Sequence, residues 1–197
     1  MPKVTSVHKA AVRKRIIQAA IESFGQTGFD RTKMDDIAKR LGLGKGTLYL
    51  YFKSKEDLFF AICEHNIGED EEDAALFTNR ENIVSDAEQM YDNIRKRERG
   101  MDKVILEMVV ESSRNPRLRK VVHQYQLMIH DHVAKEIKRK IDEGFVRKDI
   151  DVAGLSVAMV ALFDGLAVNR MLGISEPSNK KAWVAMVRAI IDSGGKS

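Results

Sequence analysis

Apolar residues recur at helical spacing along most of this 197-residue chain, and this periodicity restricts the fold more than any other feature. Val12, Ile16, Ala20 and Phe24 follow one another every four residues, which places them on one face of a helix. No competing run alternates apolar and polar residues as a strand does. Since the chain contains only three prolines, long helices are permitted almost everywhere. The sequence therefore predicts an all-α protein.

The first 60 residues carry the signals of three short helices and the start of a longer one. The first helix should end near Gly28, because glycine enters the left-handed conformation that closes a helix at little cost. Thr32 is predicted to cap the second helix, since Asp35 follows three residues later as in a capping box. Residues 42–44, Gly-Leu-Gly, end the second helix, and residues 45–52 form the third.

Longer helices are predicted after residue 65, over residues 83–99, 101–113, 116 to about 143, about 150 to 172, and one more near the C-terminus. Capping residues mark the start of the fourth helix and of the last three of these longer helices. The predicted caps are Ser54, Asn115, either Asp149 or Asp151, and Ser178. We therefore expect two domains: residues 1–60, with short helices, and residues 61–197, with a larger helical bundle.

Charge is distributed unevenly between these two domains. Residues 1–60 have a net charge of +6 and the remainder has −2, which is typical of a nucleic-acid-binding module joined to another domain. An ordinary solvated surface can give the same pattern. The N-terminus lacks the apolar segment of a signal peptide, and the longest uncharged apolar run, 152–163, is too short to span a bilayer. We expect a cytoplasmic protein with no membrane association.

Two short helices joined by a glycine-containing turn have the pattern of a helix-turn-helix, whose second helix enters the DNA major groove. Residues 13–60 resemble the TetR family of transcriptional repressors. The resemblance rests on Ile17, Ala20, Phe24, Gly28-Phe29, Thr32, Asp35, Ile37-Ala38, Leu41-Gly42, residues 44–49, 51–53 and 55–58. It implies a three-helix DNA-binding domain followed by a helical domain for ligand binding and dimerisation.

The resemblance also implies which residues contact DNA: Thr32, Lys33, Lys45, Gly46, Thr47, Tyr49, Leu50, Tyr51 and Lys55. Lysine supplies a point charge, tyrosine a rigid hydroxyl, and glycine lets the backbone approach closely. The alternative role of Thr32 is a helix cap, and that of Lys55 is an ordinary surface charge. Gly44 stands where the family often has a capping Ser or Thr. Leu50 can only touch a thymine methyl group or pack on sugar.

The energetics of base recognition favour a dimer. One short helix makes two or three base contacts of about 1–3 kcal/mol each, too few to select one site among roughly 10⁶ competing sites. Two copies on a palindrome double that energy. The last two helices are apolar on more than one face, and the interface is predicted at Leu155, Met159, Leu162, Leu166, Trp183, Met186, Val187 and Ile190. Burial of these residues within the monomer is the alternative.

The middle helices are predicted to hold a small-molecule effector, because methionines there suit an adaptable apolar cavity. The candidate residues are Met90, Ile94, Met101, Ile105, Met108, Val109, Tyr125, Met128, Ile129 and Phe163. Each of them has an ordinary core position as its alternative. We expect an apolar effector, with fatty acyl-CoA as one candidate. Basic residues at 95, 96, 97 and 99 could meet its phosphates or simply face solvent.

Other function classes find less support. GxSxG, HExxH, CxxC and phosphate-binding glycine loops do not occur, so we do not predict an enzyme. His123, His130 and His132 lack evident carboxylate or thiolate partners for a metal, and Cys63 is expected to be a buried thiol. No metal or cofactor is predicted. A sequence-tolerant DNA-binding protein is the second alternative to a ligand-responsive repressor.

Overall fold

The computed structural model describes residues 6–67, 76–97 and 101–192. In these residues all regular secondary structure is helical, which confirms the all-α prediction. The α-helices are α1 (Ser6–Thr27), α2 (Met34–Arg40), α3 (Lys45–Tyr51), α4 (Lys55–Ile67), α5 (Ile83–Arg97), α6 (Met101–Ser112), α7 (Pro116–Asp142), α8 (Val152–Met171) and α9 (Glu176–Asp192). A 3₁₀ turn, Arg80–Asn82, precedes α5.

Most helix ends follow the predicted local chemistry. Gly28 ends α1 with a φ of +82°, in the left-handed region that favours glycine. The side chains of Ser54, Asn115 and Asp151 each accept hydrogen bonds from backbone N–H groups in the first turn of the helix that follows. The predicted helix end at Gly28 and the predicted caps Ser54, Asn115 and Asp151 are therefore confirmed.

Two predicted caps are wrong. Thr32 does not cap α2: Lys33 occupies the N-cap position, and the hydroxyl of Thr32 donates to the carbonyl oxygen of Gly28 at 2.7 Å. A carbonyl left unpaired at the end of α1 thus competes successfully for this hydroxyl. Ser178 does not cap α9, because the helix begins two residues earlier and the N–H of Ser178 already bonds to the carbonyl of Ser175 at 3.0 Å.

The described helices form two compact units. The first contains α1–α4, α6 and the part of α7 up to residue 125; the second contains α5, the rest of α7, α8 and α9. The first unit thus includes residues that the sequence analysis assigned to the C-terminal domain. Since compactness alone does not show which segment folds independently, the boundary after residue 60 stays a prediction.

In the first unit, α1 packs against α2 and α6, and α2 packs against α3. An aromatic cluster lies at its centre, where the ring of Phe29 is 5.3 Å from that of Phe24 and 5.9 Å from that of Phe59. Between α2 and α3, Ile37, Ala38, Leu48 and Phe52 are buried, and Leu41 and Leu43 are half-buried. These apolar side chains form the core that holds the two short helices together.

In the second unit, α9 packs against α5 and α8. The buried core consists of Phe77, Ile83, Ala87, Tyr91, Leu166, Trp183, Val187 and Ile191. The indole nitrogen of Trp183 donates to the carbonyl oxygen of Ala87 at 3.0 Å, which satisfies the polar end of this buried side chain. Phe163 meets Trp183 edge to face, with ring centroids 5.7 Å apart.

Candidate nucleic-acid interface

Helix α3 has one buried face and one exposed face. Leu48 is completely buried and fixes the helix to the core, while Tyr51 at its end is half-buried. The exposed residues are Lys45, Gly46, Thr47, Tyr49 and Leu50. Leu50 is 85% exposed, so its whole side chain is open to contact. Five of the seven residues of α3, all of them predicted DNA contacts, therefore face solvent.

The first turn of α3 is open to close approach. Gly44 is the N-cap residue and provides no side-chain cap, as the sequence predicted. A Cβ atom at Gly46 would have no atom within 4 Å, and one at Gly44 would meet only the hydroxyl of Thr47 at 3.9 Å. These glycines therefore leave space outside the helix rather than being required by the packing within it.

Lys45 forms an exposed ion pair that links α3 to α2. Its ammonium nitrogen lies 2.8 Å from a carboxylate oxygen of Asp35, and this hydrogen bond raises the pKa of Lys45. Exposed ion pairs are weak, because both groups remain hydrated. Lys45 can thus leave Asp35 at small cost. Lys33, at the N-cap of α2, is also exposed.

Thr32 and Lys55 are turned toward the loop that follows α1. Thr32 is only 4% exposed, and its hydroxyl is bonded to the Gly28 carbonyl. The ammonium group of Lys55 donates to the carbonyl oxygens of Phe29 and Asp30 at 2.7 and 2.9 Å and lies 4.4 Å from the Phe29 ring centroid. Burial lowers the pKa of Lys55. Both side chains therefore hold this loop in place, and their contact with phosphate stays a prediction.

Glu107 of α6 completes this loop, a role that no feature of the sequence indicates. Its carboxylate accepts the backbone N–H of Phe29 at 2.9 Å. A Cβ atom at Gly28 would lie 2.8 Å from the same carboxylate and would displace it, and the φ of +82° also favours glycine here. The Gly28-Phe29 pair was visible in the sequence, but a partner 78 residues away was not.

The ten effector candidates fall into two sets. Met101, Ile105, Met108, Val109 and Tyr125 belong to the first unit, whereas Met90, Ile94, Met128, Ile129 and Phe163 belong to the second. Met101, Met108 and Tyr125 are buried, and Val109 is exposed. Met90, Ile94 and Phe163 are partly buried against the core of the second unit. Both sets contain buried or partly buried residues of their own unit, and an effector site formed by any of these candidates stays a prediction.

The eight dimer candidates also differ in exposure. Leu166, Trp183 and Val187 are enclosed by the core of their own unit, so their side chains are not open to a partner. Leu155, Met159, Leu162, Met186 and Ile190 are half-buried.

Other apolar residues of α8 and the turn after it are more accessible. These are Val157, Val168, Met171, Leu172 and Ile174. By length and composition alone α8 could cross a membrane, yet only 22% of its most apolar 18-residue segment is buried within the chain. Much of its apolar surface therefore has no cover from the described residues.

Metal binding finds no support in the part of the chain that the structure describes. No group of three or more His, Cys, Asp or Glu side chains there could hold a metal ion. Cys63 is buried, as expected from its apolar neighbours. Of the basic residues that were considered for phosphate binding, Arg95 and Lys96 are described, whereas the side chains of Arg97 and Arg99 lie outside the described residues.

Comparisons with known proteins cover both parts of the chain. The family described as bacterial regulatory proteins, tetR family, matches residues 16–62. The family described as BetI-type transcriptional repressor, C-terminal, matches residues 89–195, more than half of the chain.

Individual proteins match over most of their length. The HTH-type transcriptional regulator UidR of Escherichia coli is 31% identical over 159 residues, which cover 78% of this chain and 79% of UidR. The regulator YfiR of Bacillus subtilis is 25% identical over 86% of this chain and 85% of its own length. The crystal structure of FadR from Bacillus subtilis in complex with stearoyl-CoA has a TM-score of 0.66 at 18% identity, covering 90% of this chain and 97% of FadR.

Proposed function

Because this chain belongs to the TetR family and is a DNA-binding transcriptional regulator of the repressor type, we propose that it binds a palindromic operator as a homodimer and is released by a small lipophilic effector. The proposal places the protein in the cytoplasm and gives it no catalytic role. The observation that carries it is the one-sided burial of α3, with Leu48 in the core and its neighbours in solvent.

In the proposed complex α3 lies in the major groove. Lys45, Thr47 and Tyr49 contact bases, and Leu50 meets a thymine methyl group. Tyr51 contacts the phosphate backbone, and Gly46 lets the first turn approach it closely.

Lys55 and the start of α2 support this docking. Two of the three N–H donors of Lys55 hold backbone carbonyls, and the third remains for a phosphate. Lys33 adds a charge at the start of α2. Thr32, whose hydroxyl is buried, contributes by fixing the loop before α2.

The DNA contacts can be tested with an operator selected from random duplex DNA by the purified protein. At fixed salt, the selected site should bind far more tightly than random fragments in a fluorescence-anisotropy titration. Lys45→Ala should weaken binding to the selected site, and Tyr49→Ala should relax base preference. Equal affinity for selected and random DNA would instead identify a sequence-tolerant binder.

Lys135 provides a matched control for Lys45. Both lysines are exposed and each is paired with an aspartate, at 2.8 Å for Lys45 and 2.7 Å for Lys135. Lys135→Ala removes the same charge and a similar ion pair from α7. It should leave operator affinity unchanged, and a loss equal to that of Lys45→Ala would refute the placement of α3 in the groove.

Dimerisation is proposed at the exposed apolar face of α8 together with the half-buried candidates of α8 and α9. Val157→Asp places a charge on this face and should convert the dimer to a monomer in sedimentation-velocity experiments. Val110→Asp, at an exposed valine of α6, is the control and should leave the dimer intact. A Val157→Asp variant that sediments like the wild type would place the interface elsewhere.

The effector is proposed to act by shifting a population of dimer conformations. It releases DNA only if it binds the non-operator conformation more tightly, because equal affinity for both shifts nothing. Fatty acyl-CoA is the specific candidate, supported by the fold similarity to FadR, whose structure contains stearoyl-CoA. Acyl-CoAs of several lengths can be screened by thermal shift and then by operator release. A ligand that leaves operator affinity unchanged at saturation is excluded as the effector.

A further inference from the structure

In the second unit, three side chains converge on the carboxylate of Glu176, the first residue of α9. The hydroxyl of Tyr91 donates to it at 2.5 Å, and the Nε atoms of Arg95 and Arg170 lie 3.3 and 3.9 Å from its other oxygen. A guanidinium nitrogen of Arg170 also lies 3.4 Å from the Tyr91 hydroxyl. We refer to Tyr91, Arg95 and Arg170 as the Arg–Tyr cluster. Guanidinium groups with a hydroxyl donor are a typical arrangement for binding a carboxylate.

The members of this arrangement differ in exposure. Tyr91 is 1% exposed, and the side chains of Arg170 and Arg95 are 9% and 23% exposed, whereas the side chain of Glu176 is 48% exposed. The groups that recognise the carboxylate are therefore held within the fold, and the carboxylate itself comes from the most exposed member. A carboxylate from solution can replace that of Glu176, since partly exposed ion pairs are weak.

Apolar side chains adjoin the Arg–Tyr cluster. The guanidinium of Arg170 lies 5.8 Å from the ring centroid of Phe163, which is itself 6.2 Å from the Tyr91 ring. Met90 and Ile94 are partly buried against the same core. Burial raises the pKa of Tyr91 to about 12, so its phenol stays protonated and donates near neutral pH. A ligand bound here should join a carboxylate to an apolar group.

A buried polar group one helical turn from Glu176 also points to a ligand. Asn179 is 1% exposed, and its amide nitrogen Nδ2 has no hydrogen-bond partner among the described residues. Its oxygen accepts from Asn169, the residue before Arg170 on α8. Buried donors are rarely left unpaired. An oxygen atom of a bound ligand would satisfy this donor.

We propose that the Arg–Tyr cluster binds the carboxylate of an amphiphilic organic acid, and that Glu176 occupies this site in the structure as an internal competitor. The inference rests on the proposed response to an effector and narrows that effector to an anionic amphiphile. When the ligand carboxylate replaces that of Glu176, the first turn of α9 loses its contacts with α5 and α8.

The test is isothermal titration calorimetry of the full-length protein without DNA, with sodium decanoate as the probe and decan-1-ol as its uncharged counterpart. Glu176→Gln should lower the Kd for decanoate at least tenfold, about 1.4 kcal/mol, because the amide still accepts from Tyr91 but no longer competes as an anion. Arg95→Gln should raise the Kd at least tenfold. Arg147→Gln, which breaks an ion pair with Asp149 outside the cluster, should change it less than twofold.

Several results would overturn the proposal. One is a decanoate affinity that is the same in the wild type, Glu176→Gln and Arg95→Gln. Another is decan-1-ol binding as tightly as decanoate, or no binding of decanoate to either the wild type or Glu176→Gln. Tighter binding of decanoyl-CoA with the same dependence on Arg95 would assign the cluster to phosphate groups instead.

Operator release is measured separately, so the two proposals can fail independently. If decanoate binds with the expected dependence on Glu176 and Arg95 but does not release selected operator DNA, the carboxylate site stands and its role as the effector site is refuted. If the protein binds no DNA specifically, the repressor proposal fails while the calorimetric result is unaffected.

Discussion

Replacing Lys55 with methionine should destabilise the chain even when no DNA is present. The Lys55 ammonium group donates to the carbonyl oxygens of Phe29 and Asp30 at 2.7 and 2.9 Å, and it lies 4.4 Å from the Phe29 ring centroid. Methionine keeps an unbranched apolar side chain but has no donor. The variant therefore removes the hydrogen bonds and the charge while retaining most of the packing.

The expected loss follows from these contacts. Hydrogen bonds from charged groups contribute about 1.5–3 kcal/mol each, and a cation above an exposed ring adds about 0.5–1 kcal/mol. Lys55 is only half-buried, and the desolvation that lowers its pKa offsets part of this gain. We expect a net loss of about 2 kcal/mol. In a chain of this length that corresponds to a fall in Tm of about 4–8 °C.

Circular dichroism during thermal unfolding measures this change, at one fixed protein concentration because dimerisation makes Tm depend on concentration. Lys53→Met, at an exposed lysine two residues away, is the control and should leave Tm unchanged. If Lys55 served only as a phosphate contact, its variant would reduce the salt dependence of DNA binding without altering Tm. A Tm within about 1 °C of the wild type would refute the structural role.

Three further predictions follow from other positions. Gly28→Ala should lower the free energy of unfolding in urea more than Gly42→Ala does. Both glycines have a positive φ, but only at Gly28 would a Cβ atom lie 2.8 Å from the carboxylate of Glu107. Equal losses at the two positions would contradict this steric reason. Lys140→Met should cost about 3 kcal/mol in the same assay, because this buried ammonium holds two backbone carbonyls and a carboxylate. A free energy of unfolding like that of the wild type would argue against it. Leu50→Ala should change stability by less than about 0.5 kcal/mol while reducing the preference for thymine at one operator position, and unchanged base preferences in a repeated selection would exclude the methyl contact.

Sequence reasoning succeeded where the determinants of structure are local. The helical spacing of apolar residues and the glycines at 28, 42 and 44 place α1–α3, and side-chain caps mark the starts of α4, α7 and α8. It failed at Thr32 because the capping pattern considers only residues that follow the cap. The hydroxyl of Thr32 instead bonds to a carbonyl four residues before it, and no spacing rule indicates which of two available partners is preferred.

The residues of the candidate site also fall into two groups, those that local sequence patterns identify and those that depend on distant parts of the chain. Tyr49 and Leu50, which the resemblance assigns to DNA contacts, are exposed, and Leu48 beside them is buried. The partners of Lys55 and Glu107 are 26 and 78 residues away in the chain, so their roles depend on tertiary contacts that the sequence does not reveal. An apolar stripe likewise shows that a face is covered, but not whether the cover comes from the same chain. Trp183 is enclosed by its own unit, whereas Val157 on α8 is exposed.

Helix α8 carries both the proposed ligand contacts and the proposed dimer contacts, on different faces. Arg170 belongs to the Arg–Tyr cluster and Phe163 adjoins it, whereas Val157 and Val168 are exposed. To reverse a 99:1 preference for the operator-bound conformation, an effector must favour the other conformation about 10⁴-fold. A tenfold gain from the carboxylate at each of two subunits supplies about a hundredfold, so about 2.7 kcal/mol must come from elsewhere. Selective burial of roughly three CH₂ groups across the dimer provides that amount. An effector with only a carboxylate is therefore insufficient, and its apolar part must also distinguish the two conformations.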